Sequence, residues 1–439
     1  MNKNEIIKIL YDWNFWDRDL DTGIKRYAYI SKLFKYLETG LVCVITGPRR
    51  SGKSYIMRQT VKGLIDKGVN RNEILIINFE DPRFPKLDVS ALQEIHEIYL
   101  EFLSPKGKPF ILLDEVQEVD GWEKWVRTMR ELKKATIVVS GSNAKLLSRE
   151  LSTFLTGIHI DLTVYPLSFE EFLFFNNFKF ENQLEVVTRE VEIKSLLRKY
   201  LEFGSFPEVV LNEQKKEILI RYYEDVINKD LIKRYKLRKT EEIKSLAKYY
   251  FTNISNLTTF NSLEKHLNVS ADTIEKFSAY FEDAYILFLV KRFSYKIRQQ
   301  DKSPKKVYCI DTGLANTVGF RFTENSGRLA ENIVFLKLKE QMLNNPDLEI
   351  FYWKDEHHRE ADFVIKERLK IKQLIQVCWN IEDDRTRKRE VSSLVKAMDE
   401  FKLKEGMIIT EDFESEEKFK GKKIKFIPLW KWLIMKEKS

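Results

Sequence analysis

Residues 46–54 read Thr-Gly-Pro-Arg-Arg-Ser-Gly-Lys-Ser, and no other run restricts the fold of this chain as much. Gly47, four residues, then Gly52-Lys53-Ser54 is the full spacing of a Walker A phosphate-binding loop. The motif has meaning only between a buried strand and a helix. The apolar run Leu41-Val42-Cys43-Val44-Ile45 precedes it, and Ser54 to Ile65 has helical composition and spacing. That order implies an α/β core in which backbone N–H groups and a helix N-terminus wrap phosphates. Lys53 is expected at the β- and γ-phosphates of ATP, and the Ser54 hydroxyl on Mg²⁺. The expected nucleotide-binding residues are Gly47, Pro48, Arg49, Arg50, Ser51, Gly52, Lys53, Ser54 and Tyr55.

A second apolar run, Phe110-Ile111-Leu112-Leu113, ends in Asp114-Glu115. Two adjacent carboxylates at a strand end suit a nucleoside triphosphatase. Asp114 would hold Mg²⁺ and Glu115 would orient and polarise the attacking water. A third run, Ala135-Thr136-Ile137-Val138-Val139, leads into Ser140-Gly141-Ser142-Asn143. A polar residue at that strand end would lie between the two motifs, within reach of the γ-phosphate or the water. Asn143 and Ser142 are the candidates, and an ordinary polar loop is the rival reading.

These motifs carry a family resemblance. Gly47 to Ser54, Asn78-Phe79-Glu80-Asp81-Pro82-Arg83, Leu113-Asp114-Glu115-Val116-Gln117, Ser140-Gly141-Ser142-Asn143 and Tyr165-Pro166-Leu167-Ser168-Phe169 occur in that order. Together they resemble the archaeal and bacterial AAA+-type P-loop ATPases that end in a domain of unknown function, DUF4143. The resemblance extends from Trp13-Asn14-Phe15-Trp16 to Ile427-Pro428-Leu429-Trp430-Lys431-Trp432. It implies ATP hydrolysis and assembly into a homo-oligomer, a hexamer being one such assembly. Arg149 matches the family pattern and is the candidate arginine finger, a charge supplied to the γ-phosphate by a neighbouring subunit. Its rival reading is a solvated arginine at a helix end. The chain departs from the pattern at Gly157-Ile158, where a second Gly-Arg is usual.

Composition sets outer limits. At 439 residues, two to four domains are expected. No run of about 18 apolar residues is present, so no membrane span is expected. Cys43, Cys309 and Cys378 each sit in apolar runs and read as buried thiols of a cytoplasmic protein. A net charge of +8 is compatible with nucleic acid without demanding it.

The expected organisation is an entry segment of helices at 1–37, the P-loop core at 38–172 and a helical lid at 173–238. A winged helix-turn-helix module follows at 239–296, then a restriction-nuclease-like α/β domain at 297–439. Core strands are expected at 41–46, 73–80, 109–115, 135–141 and 159–164. In the winged module Phe260 to Leu267 is the first helix, Ser270 the N-cap, and Ala271 to Asp283 the second helix. The second helix mixes Asp272, Glu275, Lys276 and Glu282, so a protein-binding or spacer role competes with DNA reading. In the last domain Glu331 on a helix, Asp362 on one strand, and Gln376 and Cys378 on the next resemble a PD-(D/E)xK nuclease centre. Gln376 stands where a carboxylate is needed and Cys378 where a lysine is needed, so little or no cleavage is expected. Lys354, Arg359, Arg385, Arg387, Lys388 and Arg389 are candidates to grip phosphate, and a basic solvated helix face is the rival reading. The expected partners are duplex or branched DNA and further copies of the chain. The alternatives are a regulatory switch acting on a protein partner and an ATP-controlled, Mg²⁺-dependent nuclease.

Overall fold

The computed structural model describes residues 2–84, 87–142, 157–180, 182–320 and 325–435. The chain divides into two compact units, Met1–Tyr165 and Pro166–Ser439.

The first unit is built on a parallel sheet of five strands: β1 (Val42–Thr46), β2 (Ile74–Asn78), β3 (Phe110–Asp114), β4 (Thr136–Ser140) and β5 (His159–Thr163). All five expected strands are present, each trimmed by a residue or two at its ends. Their order is β2-β3-β4-β1-β5. Helices cover both faces, which is why the strands read as unbroken apolar runs and not as alternating ones. Val42 and Val44 point into one core layer, with Ile95, Trp122 and Val126 of the covering helices. Cys43 and Ile45 point into the other, with Leu33, Ile56 and Val61. The insertion of β4 between β1 and β3 places its C-terminal end between the phosphate loop and the Asp114-Glu115 pair.

β2 is an edge strand, and the entry segment covers its edge. After the helix Lys3–Trp13, the Asn14 side chain accepts from the Ile76 N–H at 2.7 Å and donates to the Ile76 carbonyl at 2.9 Å. Trp16 Nε1 donates to the Ile74 carbonyl at 2.8 Å, and its ring stacks on Tyr99. The aromatic cluster Trp13-Asn14-Phe15-Trp16 thus substitutes for a sixth strand.

The second unit opens with helices from Phe169 to Leu211 and Lys215–Asp225, the last continuing into a π-helix over Val226–Lys233. A helix Thr240–Thr252 then leads to β6 (Leu257–Thr258), the helices Phe260–Leu267 and Ala271–Asp283, β7 (Leu287–Val290) and β8 (Lys305–Cys309). The three strands pair antiparallel in the order β6-β8-β7, which is the arrangement of a winged helix. Ser270 occupies the N-cap position, but its hydroxyl pairs with Thr273 Oγ1 and makes no cap bond to the backbone. The helix Ser326–Asn344 precedes a mixed six-stranded sheet of β9 (Leu348–Lys354), β10 (Glu360–Glu367), β11 (Lys370–Val377), β12 (Glu405–Thr410), β13 (Ser415–Phe419) and β14 (Lys422–Pro428). Its order is β13-β14-β12-β11-β10-β9.

The turn Phe203-Gly204-Ser205 interlocks with residues 311–316. Buried Asp311 accepts from the Ser205 N–H at 2.6 Å and the Leu314 N–H at 3.1 Å, and Thr312 Oγ1 donates to the Tyr200 carbonyl. A Cβ on Gly204 would lie 2.0 Å from Asp311 Oδ1, so only glycine fits. All three cysteines are buried free thiols, and no described helix is long and apolar enough to cross a membrane.

Candidate functional site

The nucleotide site forms where β1, β3 and β4 end. Gly47 has φ 136° and Gly52 φ 96°, and Arg50 lies in the left-handed region at φ 67°. A Cβ on Gly47 would sit 2.1 Å from the Val164 carbonyl oxygen, so the loop must carry glycine to pass the chain leaving β5. The helix Lys53–Asp66 begins at Gly52, so its first N–H groups open onto the loop. Buried Arg26 fastens the loop from behind. Its guanidinium donates to the Ser51 carbonyl at 2.9 Å and the Tyr165 carbonyl at 3.0 Å.

Lys53 is buried, and its ammonium donates to the carbonyls of Gly47 and Pro48, both at 3.1 Å. The same ammonium lies 3.6 Å from Glu115 Oε1. Glu115 takes φ 52°, an uncommon conformation for a non-glycine residue, and this turn aims its carboxylate back at the loop. Ser140 joins the two acidic residues. Its hydroxyl donates to Asp114 Oδ1 and accepts from the Glu115 N–H at 3.1 Å. Gln117 Nε2 donates to Glu115 Oε2 at 2.5 Å.

The two carboxyls are electrostatically unlike. Burial and the neighbouring Glu115 charge raise the pKa of Asp114, against hydrogen bonds from Ser140 and Ser54 and the charge of Lys53. Burial also acts to raise Glu115, but Lys53, Arg49 and the Gln117 hydrogen bond outweigh it and hold Glu115 below the usual range. Glu115 is therefore an anion beside the loop. Asp114 accepts a hydrogen bond from Ser54, and a divalent ion held by these two groups would reverse the sign of its shift. The donor set is hard oxygen, as Mg²⁺ requires. The hydroxyl of Ser51 is buried without a hydrogen-bond partner among the described residues, as expected of a group that faces a ligand.

The expected residues mostly converge here. Lys53, Ser54, Asp114 and Glu115 come together, and Ser142 stands beside them. Arg49 pairs with Glu80 at 2.6 Å. Tyr55 is partly exposed, its ring against Gly23 and its hydroxyl 3.4 Å from Asp21. Asn143 and Arg149 lie outside the described residues. Sequence reasoning missed Ser140, Gln117 and Arg26. Ser140 was legible as the last residue of the β4 run, but its role depends on the strand order, which the sequence does not state.

Residues 39–173 match the AAA domain, residues 194–326 a domain of unknown function, DUF8612, and residues 326–432 the domain of unknown function DUF4143. The uncharacterized protein MJ1544 of Methanocaldococcus jannaschii is 35% identical over 406 residues, covering 89% of this chain and 88% of that protein. The chain belongs to the AAA-type P-loop ATPase family that ends in DUF4143. An uncharacterized Haemophilus influenzae protein is 31% identical over 324 residues, covering 72% of this chain and 78% of that protein. Among solved structures, the Walker-type ATPase PABY2304 of Pyrococcus abyssi aligns with a TM-score of 0.46 at 12% identity, covering 70% of this chain and 99% of that one.

The structure brings together most of the expected acidic centre of the DUF4143 portion, and the preceding DUF8612 portion adds a residue that changes its chemistry. Lys306 on β8 is buried. Its ammonium lies 2.9 Å from Glu331 Oε1, 2.7 Å from Glu360 Oε1 and 2.7 Å from Asp362 Oδ1. Tyr308, two residues along the same strand face, donates to Glu331 Oε1 at 2.6 Å. Asp362 Oδ2 accepts from the Val377 N–H at 2.8 Å. Gln376 links the Asp362 N–H to Glu390, accepting at 3.1 Å and donating at 2.7 Å. Cys378 is not part of the centre. It follows β11 and packs in the core with Ala361, Val364 and Leu394, where burial pushes its thiol up to about 12. The chain signalled Lys306 only as a cation just ahead of the apolar run Val307-Tyr308-Cys309-Ile310, and the packed helix Ser326–Asn344 and β10 were needed to interpret it.

Proposed function

We propose that this chain binds ATP with Mg²⁺ at the loop 47–54 and hydrolyses it, and that the cycle drives DNA binding or remodelling by the second unit. The observation that carries the ATPase reading is the convergence of Lys53 and Glu115 at 3.6 Å with Ser140 bridging Glu115 and Asp114. Lys53 donates to the loop carbonyls of Gly47 and Pro48. Its ammonium is the group that would turn to the β- and γ-phosphates. Ser54 and Asp114 would hold Mg²⁺, which supplies charge neutralisation to the phosphates. Glu115, kept ionised by Lys53 and Arg49 and oriented by Gln117, accepts the proton of the attacking water. Arg149 is the proposed finger in trans, and Asn143 a further polar contact.

Glu115→Gln tests the hydrolytic role. The variant should retain ATP binding and lose roughly 10²–10⁴ in turnover, because an amide does not take the proton. Loss of ATP binding with turnover per bound ATP unchanged would reject the assignment.

The DNA reading draws on the segment between β7 and β8. Lys291, Lys296, Arg298 and Lys302 are exposed there, in the wing position of the three-stranded module. The competing reading, a switch acting on a protein partner, draws on the exposed Asp272, Glu275 and Glu282 of the second helix. Mobility shifts of the full chain on duplex and four-way DNA, across salt and with or without ATP, separate the two. DNA binding should weaken linearly in log–log salt with a slope of about −0.9 per phosphate contact. Absence of any shift at low salt favours the protein partner.

A further inference from the structure

We propose that Lys306 is a built-in cation: its ammonium occupies the place of a divalent ion in the acidic centre, so that the chain itself closes what would otherwise be a metal site. The inference concerns Glu331, Glu360 and Asp362 and is independent of the nucleotide chemistry. Three carboxylate oxygens, from the helix Ser326–Asn344 and from β10, surround Nζ at 2.7–2.9 Å. That is a ligand shell for a hard cation, and the cation is covalently supplied by a strand of a different sheet. The side chain of Lys306 is 2% exposed, so no hydrated ion shares the space.

Each of the three carboxylates also has a second partner. Tyr308 holds Glu331, the Val377 N–H holds Asp362 Oδ2, and Lys354 Nζ lies 3.3 Å from Glu360 Oε2. Charge balance agrees with this assignment. Burial acts to lower Lys306, but Asp362, Glu331 and Glu360 keep it charged well above the ordinary range. A single ammonium neutralises less than a divalent ion would, and burial together with Asp362 pushes Glu331 up to about 8, so a proton on the carboxyl cluster supplies the difference. Among the described residues no group of three or more His, Cys, Asp or Glu is poised for a metal as the chain stands. The centre therefore fastens β8 to the helix Ser326–Asn344 and β10, and the neutral Gln376 fits a site that no longer recruits metal.

The test uses the nucleotide-free full chain in a Ser54→Ala/Asp114→Asn background, which removes the Mg²⁺ ligands expected at the phosphate loop. Mn²⁺ serves as the probe, with bound metal counted by equilibrium dialysis and unfolding followed by heating. With Lys306 in place, no Mn²⁺ should bind at 1 mM and the melting temperature should match that in EDTA. Lys306→Met should melt lower in EDTA, take up one Mn²⁺ per chain, and melt about 5 °C or more higher with Mn²⁺ than without. Adding Asp362→Asn should abolish that uptake. Lys306→Ala repeats the experiment with more room for a hydrated ion. Mn²⁺ uptake by the chain that retains Lys306, lost on Asp362→Asn, would overturn the proposal. So would a folded Lys306→Met or Lys306→Ala protein that takes up no Mn²⁺, or the failure of both variants to fold even when Mn²⁺ is supplied.

Discussion

Replacing Lys53 by alanine should destabilise the nucleotide-free first unit as well as abolish hydrolysis. The side chains of Lys53 and Glu115 are 4% and 9% exposed and lie 3.6 Å apart. Removing the ammonium strands a buried carboxylate and leaves the Gly47 and Pro48 carbonyls without their donor. Breaking a buried pair from one side costs about 3–5 kcal/mol, most of it the uncompensated charge. Adding Glu115→Gln removes that charge. The double variant Lys53→Ala/Glu115→Gln should therefore be more stable than Lys53→Ala, with a coupling energy of about 1–3 kcal/mol. Hydrogen exchange of the β1 and β3 amides under increasing urea reads the first unit directly. Equal stabilities for the single and double variants would refute the idea that Lys53 and Glu115 neutralise each other before nucleotide arrives.

Two further changes probe the frame around the sites. Gly47→Ala should eliminate ATP binding in a titration, because the added Cβ would meet the Val164 carbonyl at 2.1 Å at φ 136°; an alanine variant with intact affinity would contradict the strained-loop reading. Asp311 gives a pH dependence. Burial raises it from 3.8 to about 6 despite hydrogen bonds from Ser205 and Leu314. The folded chain thus holds a proton that the unfolded chain releases between pH about 4 and 6, and stability falls with rising pH across that window by about 3 kcal/mol. Asp311→Asn should remove this slope from urea midpoints measured between pH 4 and 7, and identical slopes would count against it.

The first unit was largely legible because its signals are local. Each parallel strand, buried on both faces, is a short apolar run, and Gly47, Lys53, Asp114 and Glu115 lie at the ends of such runs. What the residues could not reveal was adjacency. Ser140 became a bridge only because β4 lies between β1 and β3, and that order follows from packing and not from spacing. Lys306 illustrates the same limit. It is separated from Glu331 by 25 residues and from Asp362 by 56, so only the packing of β8 against the helix Ser326–Asn344 and β10 identifies its partners. Cys378 was placed by motif register, but the chain has left β11 by that residue and its side chain turns into the core.

The clasp that Asn14 and Trp16 form on β2 has a consequence for how copies of this chain can meet. An uncovered edge of a parallel, wholly apolar strand is a template on which a second chain can add a strand and begin to aggregate. Here two side chains consume the Ile76 N–H, the Ile76 carbonyl and the Ile74 carbonyl, so that edge offers no ladder to a neighbour. Self-association through β2 by sheet extension is thereby blocked, and copies that approach this side of the sheet must recognise one another through side chains. That protection lies in the segment ahead of the P-loop, so a version trimmed to the P-loop motifs would uncover the β2 edge and open it to strand addition.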